Sequence, residues 1–201
     1  MIVLQKLVHK LLILSYLILL LVMFILPFFS AARYSVIKHT TSELGAQNTP
    51  NSWVMNITFI FLGIVCIVES LLNLNKFRWH QMILILFGVG LILSGLFKHM
   101  PIDHQINYSV REDELHSMAS SLVGMSFTVF VFSSIFILNT KANRYVALSI
   151  GTLICLLSLG IFKLPHYAGL FQRLIFFVSF IWLIDFFVRE NYDKLATKTL
   201  G

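Results

Sequence analysis

Six long apolar runs constrain this chain more than any other feature of its sequence. A helix needs roughly 20 mainly apolar residues to cross a hydrocarbon layer about 30 Å thick. Backbone polar groups in lipid must be satisfied internally, and the runs lack the alternation of a barrel strand, so each run predicts a transmembrane helix. The predicted spans are about 11–29, 53–74, 80–98, 115–138, 145–163 and 171–188.

The composition agrees with lipid as the solvent for these helices. Of 201 residues, 58% are hydrophobic and 12% are charged, whereas soluble domains are about 45–50% apolar and about 25% charged. We therefore expect an all-α, polytopic membrane protein, a bundle of six transmembrane helices that forms one domain over residues 1–201. Cys66 and Cys155 each lie in an apolar run, which predicts buried thiols and no disulfide framework.

The net charge of +6 is distributed as in loops that flank a membrane. Lys and Arg occur singly or in pairs between the apolar runs, without the basic patch of a nucleic-acid-binding face. We therefore expect no nucleic-acid partner. If the N-terminus is inside, nine of the fifteen Lys and Arg residues lie on the inner side and six on the outer side. This bias predicts that both termini are cytoplasmic.

The first run has a second interpretation. Lys6 and Lys10 precede it and small residues at 30–32 follow it, which is the outline of a signal peptide. The run is longer than the roughly 7–15 apolar residues of such peptides. A retained helix is therefore the preferred prediction.

In this topology the outer connections, about 30–52 and 99–114, are longer than the inner ones, and five of the seven histidines and five of the nine acids lie at or near the outer face. Small and polar residues also recur at spacings of three and four along the second predicted helix, which indicates a helix–helix seam. A seam that opens into polar residues can form a pocket. The candidate ligand-binding residues at its mouth are Glu43, Asn56 and Arg173.

A catalytic set is the main alternative for the same region. His116 could act as a base that Asp103 orients, with Ser42 as the nucleophile. A divalent metal such as zinc could instead activate water, and its candidate ligands are His104, His116 and His166. The simplest alternative is structural, since acids near a helix start, such as those in 111–114, are often solvated and suit the helix dipole.

Two acids lie deeper in the apolar runs, where ionisable residues are functional candidates. Arg189 follows Asp185 by four residues, which predicts an ion pair along one helix. Glu69 lies near the inner end of the second helix. A small transporter that couples through Glu69 and Asp185 is therefore a third hypothesis.

Short motifs along most of the chain resemble those of a known family. They are Ser42-Glu43, the Trp53, Asn56 and Gly63 pattern, Gly95-Leu96-Phe97 followed by Asp103, His116, and Gln172-Arg173. With these motifs the chain resembles the bacterial six-helix membrane family called domain of unknown function nine-nine-eight, and more distantly the DRAM-type membrane proteins. The resemblance implies a membrane bundle, in a bacterial inner membrane, and no established reaction.

The leading functional hypothesis is a multi-pass protein of the cell membrane with an outward-facing polar pocket for a membrane lipid or a lipid-linked ligand. The enzymatic alternative is a membrane hydrolase or acyltransferase that uses His116 and Asp103, with or without a metal. No P-loop, Gly-x-Ser-x-Gly elbow or His-Glu-x-x-His motif occurs in the sequence, which disfavours nucleotide-driven transport and the common soluble hydrolase mechanisms.

Overall fold

The computed structural model describes the backbone of residues 2–103 and 105–199 and the side chains of residues 3–103 and 105–189. Regular structure within these ranges is helical throughout. The α-helices are α1 (Ile2–Ile25), α2 (Thr41–Leu44), α3 (Ser52–Asn73), α4 (Arg78–Leu96), α5 (Val110–Ser133), α6 (Lys141–Lys163) and α7 (Ala168–Thr199). Short 3-10 turns lie at Leu26–Phe29, Ser134–Phe136 and Pro165–Tyr167.

Six stretches of the described chain are long and apolar enough to cross a membrane. The prediction of an all-α, six-span membrane protein is therefore confirmed, and α2 is an additional short helix outside the spans. The six stretches are Val3–Phe29, Ser52–Asn73, Arg78–Leu96, Val110–Phe136, Lys141–Lys163 and Pro165–Arg189.

All six spanning helices begin earlier than the apolar pattern predicts, α1 and α5 by the largest margins. Helix α1 begins at Ile2, because exposed lysines such as Lys6 do not interrupt backbone hydrogen bonding and can extend their charge toward water. Helix α5 begins at Val110 because Ser109 caps it, its side chain accepting from the Glu112 amide at 3.3 Å. Glu112 and Asp113 in the first turn also suit the helix dipole.

Small residues bring α3 and α4 into close contact. A Cβ atom added at Gly63 would lie 2.5 Å from the carbonyl oxygen of Gly88, so the two backbones meet as small-residue interfaces in lipid do. The helix–helix contact predicted for α3 is therefore confirmed. The buried residues of the predicted α3 seam are Asn56, Phe59, Gly63, Cys66, Ser70 and Asn73.

Aromatic rings fill the centre of the bundle and join α5 to α7. The rings of Phe130 and Trp182 have centroids 6.0 Å apart, and Phe130 and Phe186 are 5.4 Å apart. Phe180 and Phe187, also on α7, are fully buried. Because hydrocarbon is as apolar as these rings, packing and not water exclusion supplies the stabilisation here.

Residues 30–51, which we call the cap, lie over one end of the bundle. Leu44 and Ala46 of the cap are fully buried. The cap contacts the 97–109 connection through a hydrogen bond from the Gln47 amide to the His99 carbonyl at 2.9 Å, and the start of α7 through one from the Gly169 amide to the Lys38 carbonyl at 3.2 Å. We call this the cap end. The opposite end contains the short connections 74–77 and 137–140.

Candidate functional site

Arg173 is the centre of the polar structure at the cap end. Its side chain is 3% exposed, and each of its three guanidinium nitrogens donates to an oxygen of the protein. The backbone carbonyls that accept are those of Met23 at 3.3 Å, Val36 at 2.8 Å, His39 at 3.0 Å and Gly169 at 3.0 Å, and the Tyr34 hydroxyl accepts at 2.7 Å. These contacts occupy the five N–H groups of the side chain, so Arg173 joins α1, the cap and α7.

Tyr34 extends this network into the cap. Its hydroxyl donates toward the carbonyls of His39 at 3.0 Å and Thr40 at 2.7 Å. Burial raises the pKa of Tyr34 to about 12, although the adjacent Arg173 charge acts in the opposite direction. The phenol therefore stays neutral and remains a donor at physiological pH.

The predicted residues Ser42, Glu43 and Asn56 also lie around the cap. Glu43 completes a capping box on α2, in which its Oε2 accepts from the Thr40 amide at 2.6 Å and the Thr40 hydroxyl at 2.9 Å. Asn56 Nδ2 donates to the Gly45 carbonyl at 3.0 Å. Ser42 is buried in α2. The Glu43 carboxylate and the Asn56 amide thus both bind groups of the cap.

Two glutamines without a predicted role in the cap bind it to its neighbours. Gln172 Oε1 accepts from the Thr41 amide at 2.7 Å and the Thr41 hydroxyl at 2.6 Å. Gln47 Nε2 donates to the carbonyls of Lys98 at 3.1 Å and Ser109 at 3.0 Å, and its Oε1 accepts from the Ser109 amide at 2.8 Å. No motif indicated Gln47, since its partners lie more than fifty positions away.

His116 belongs to a different group, which we call the histidine cluster: Ser94, His99, Asp113 and His116. His116 is 2% exposed, and its Nδ1 lies 3.0 Å from the Ser94 carbonyl and 2.9 Å from the Phe97 carbonyl. A nitrogen between two carbonyls must carry the hydrogen, so Nε2 of the neutral ring is an acceptor. Among the described groups, this Nε2 and the Ser94 hydroxyl are buried without a hydrogen-bond partner.

His99 and Asp113 complete the cluster. The rings of His99 and His116 meet edge to face with centroids 5.3 Å apart. His99 Nδ1 lies 3.6 Å from Asp113 Oδ1 and 3.0 Å from the Met100 carbonyl. The same Asp113 oxygen accepts from the Met100 amide at 2.8 Å. Asp113 is therefore held beside His99.

Of the remaining predicted site residues, Asp103 and His166 make no described contact with this cluster. Asp103 is exposed, and its Oδ1 accepts from the Gln105 amide at 3.1 Å within its own turn. His166 is exposed in a 3-10 turn, and His104 lies outside the described residues. In the part of the chain that the structure describes, no group of three or more His, Cys, Asp or Glu side chains is arranged to hold a metal. These described residues do not assemble a zinc site.

Glu69 and Asp185 lie toward the opposite end. Asp185 Oδ2 accepts from Arg189 Nε at 2.7 Å, which confirms the predicted pair along α7. Glu69 is fully buried, and its Oε1 lies 3.2 Å from Nδ1 of His9 on α1. Glu69 Oε2 and His9 Nε2 have no partner among the described groups. No sequence pattern indicates His9 as this partner.

Comparisons with known proteins place the chain in a family without an assigned activity. No curated protein and no solved structure matches it. The family model described as Protein of unknown function (DUF998) matches residues 13–189, which is most of the chain and includes parts of all six apolar spans. The chain therefore belongs to the DUF998 family and is an integral membrane protein.

Proposed function

We propose that this protein binds a lipid or a lipid-linked ligand at its cap end, through the histidine cluster. Most polar groups of the cap end already bind the protein itself: Arg173 donates to carbonyls, Glu43 caps α2, and Gln47 holds the 97–109 connection. A ligand would therefore contact polar atoms that these bonds leave available. The single observation that carries the proposal is the buried, unpartnered Nε2 of His116 beside Ser94, His99 and Asp113.

The chemistry of the cluster indicates which headgroup fits. His116 Nε2 is an acceptor, and the Asp113 carboxylate is close to the neighbouring His99 ring. An unsatisfied buried acceptor costs about 1–3 kcal/mol, which a donor on a ligand would offset. The ligand class that fits is therefore a lipid headgroup with hydroxyl or ammonium donors.

Access from the membrane supports a lipid-borne ligand. On α5, the buried His116 is followed directly by two exposed residues, Ser117 and Met118. Met118 is 70% exposed. Helix α5 is a membrane span, so these side chains face lipid next to the cluster. We further propose that the cap end faces outward from a bacterial inner membrane with both termini cytoplasmic, on the basis of the Lys and Arg distribution.

Native mass spectrometry of the protein in gentle detergent tests this proposal. His116→Asn keeps a donor near the position of Nδ1 and removes Nε2. We expect the wild-type protein to carry an added hydroxyl- or ammonium-bearing lipid, and the variant to lose about tenfold in affinity, equivalent to about 1.4 kcal/mol. Asp103→Asn, an exposed change at the same end, is the control and should bind as the wild type does.

Two results would overturn the proposal. One is wild-type protein that stays empty with every added lipid of this class. The other is equal loss of binding in Asp103→Asn and His116→Asn, which would mean that the cluster has no particular part in binding.

A further inference from the structure

A shallow cavity at the opposite end combines two cations with an apolar wall. It has a volume of about 320 Å³, and we call it the basic cavity; its lining residues are Ile135, Phe136, Lys141, Arg144, Tyr145 and Leu148. It lies where α5 ends in a 3-10 turn and α6 begins. Its volume falls within the range of about 300–1,000 Å³ that is typical of ligand sites.

The positive charge in the basic cavity has no anionic partner in the described structure. Arg144 Nε donates to the Leu138 carbonyl at 2.8 Å, which holds the guanidinium in place while Nη1 and Nη2 make no described hydrogen bond. None of the described residues that line the cavity is acidic. Asp185 lines a second, smaller cavity with Asn143, and its carboxylate is bound to Arg189. Among the described residues, the two cations of the basic cavity therefore have no anion bound to them.

The apolar wall of the basic cavity lies at the edge of the membrane. The spans that flank it end at Phe136 and begin at Lys141, so these positions are at the depth of lipid headgroups. Phe136 is 79% exposed and Tyr145 is 67% exposed, as aromatic residues are at a membrane boundary. The first turn of α6 adds the positive end of a helix dipole, which favours an anion.

We propose that the basic cavity binds the headgroup of an anionic phospholipid. Its phosphate contacts Lys141 and Arg144, and its acyl chains lie along Phe136, Tyr145 and Leu148. Basic pockets between transmembrane helices bind anionic headgroups by this chemistry. The site is separate from the histidine cluster at the other end of the bundle, so either site can be present without the other.

The test compares phosphatidylglycerol with phosphatidylcholine in native mass spectrometry of the full chain. Phosphatidylglycerol should bind in preference, and Lys141→Gln with Arg144→Gln should weaken its binding about thirtyfold, because both charge-assisted contacts with the phosphate are lost. The matched control removes the same charge from exposed positions at the same end, Lys6→Gln with Lys10→Gln, and should change binding less than about twofold.

A photoactivatable phosphatidylglycerol gives a second readout that needs no variant, and its cross-links should fall within residues 135–148. Inorganic phosphate at millimolar concentration should not displace the lipid, because it lacks the acyl chains. Displacement by phosphate would mean that the site takes a free anion and would overturn the lipid proposal. Equal binding of the two lipids, equal loss in the control, or cross-links elsewhere would also overturn it.

Discussion

Arg173 at the cap end and Glu69 at the opposite end are both buried, ionisable residues on membrane-spanning helices, and the protein holds them in different ways. Arg173 has no acidic partner among the described residues and distributes its hydrogen bonds over four backbone carbonyls and Tyr34. Glu69 contacts the side chain of His9, and one of its oxygens has no described partner. The first arrangement joins three segments, whereas the second joins only α1 and α3.

The comparison shows how burial and function are related in this fold. A side chain whose donors are all satisfied by backbone has a structural part and little capacity left for a ligand. A buried group with an unsatisfied atom is less stable and remains available for binding. By this criterion His116 and Glu69 are the functional candidates, and Arg173 is the structural one.

Replacement of Arg173 is expected to have the largest effect. Arg173→Met removes the guanidinium donors from five oxygens, and we expect a loss of about 3–5 kcal/mol in unfolding free energy or failure to fold. Arg173→Lys should retain only part of this stability, because an ammonium cannot reproduce the guanidinium fork. Thermal unfolding in detergent measures both, with Arg189→Met as the exposed control, expected within about 1 kcal/mol. A wild-type melting temperature for Arg173→Met would refute the structural assignment.

Replacement of Glu69 should cost less. Glu69→Leu leaves His9, whose side chain is partly exposed at 15%, so we expect a loss of about 1–3 kcal/mol in unfolding free energy. The double replacement His9→Leu with Glu69→Leu should regain much of this loss, because an apolar pair can replace a buried polar pair without penalty. A double-mutant cycle measures the coupling. Additive single effects would show that His9 and Glu69 do not interact, contrary to the 3.2 Å contact.

The smallest expected effect is a pH-dependent loosening of the cap. Burial lowers the pKa of His39, with further lowering by Lys38 and Arg173 and an opposing effect of Glu43. His39 Nδ1 also accepts from the Ser35 amide at 2.9 Å, a bond that protonation would remove. The folded cap therefore binds this proton less well than the unfolded chain, in which the pKa is about 6.5.

Acidification is expected to destabilise the cap. The stabilisation from neutral His39 is present above pH of about 6.5 and is lost as the pH falls from there through the lower pKa of the folded state. Hydrogen exchange across residues 30–51 should accelerate relative to residues 80–95 as the solution is acidified, after correction for intrinsic rates. His39→Asn keeps an acceptor without this titration and should remove the difference. A cap that responds identically in both proteins would exclude His39 as the cause.

Much of the architecture was predictable from the sequence because it depends on local pattern. Apolar length identifies the spans, spacings of three and four identify the buried face of α3, and the i,i+4 rule identifies the pair of Asp185 and Arg189. Each of these signals lies within one helix. Because they depend only on neighbouring residues of that helix, these three predictions could be made without knowing the tertiary structure, and the structure confirms them.

The parts that were not predictable depend on how distant segments meet. His9 and Glu69 are sixty residues apart, and Gln47 and Ser109 are sixty-two apart, so their pairing follows from helix rotation and not from spacing. The catalytic prediction groups Ser42, Asp103 and His116 because they share one side of the predicted topology. In the structure Asp103 is exposed and His116 is next to His99, because sharing a side does not specify distance.

Three of the four carbonyls around Arg173 belong to Met23, Val36 and His39. Every amino acid carries the same carbonyl, so changing the side chain at Val36 leaves that acceptor where it was. Adding or deleting a residue between positions 26 and 39 would instead move the acceptors out of register with the guanidinium. The cap should thus tolerate side-chain changes at these acceptor positions but not a change in the number of its residues.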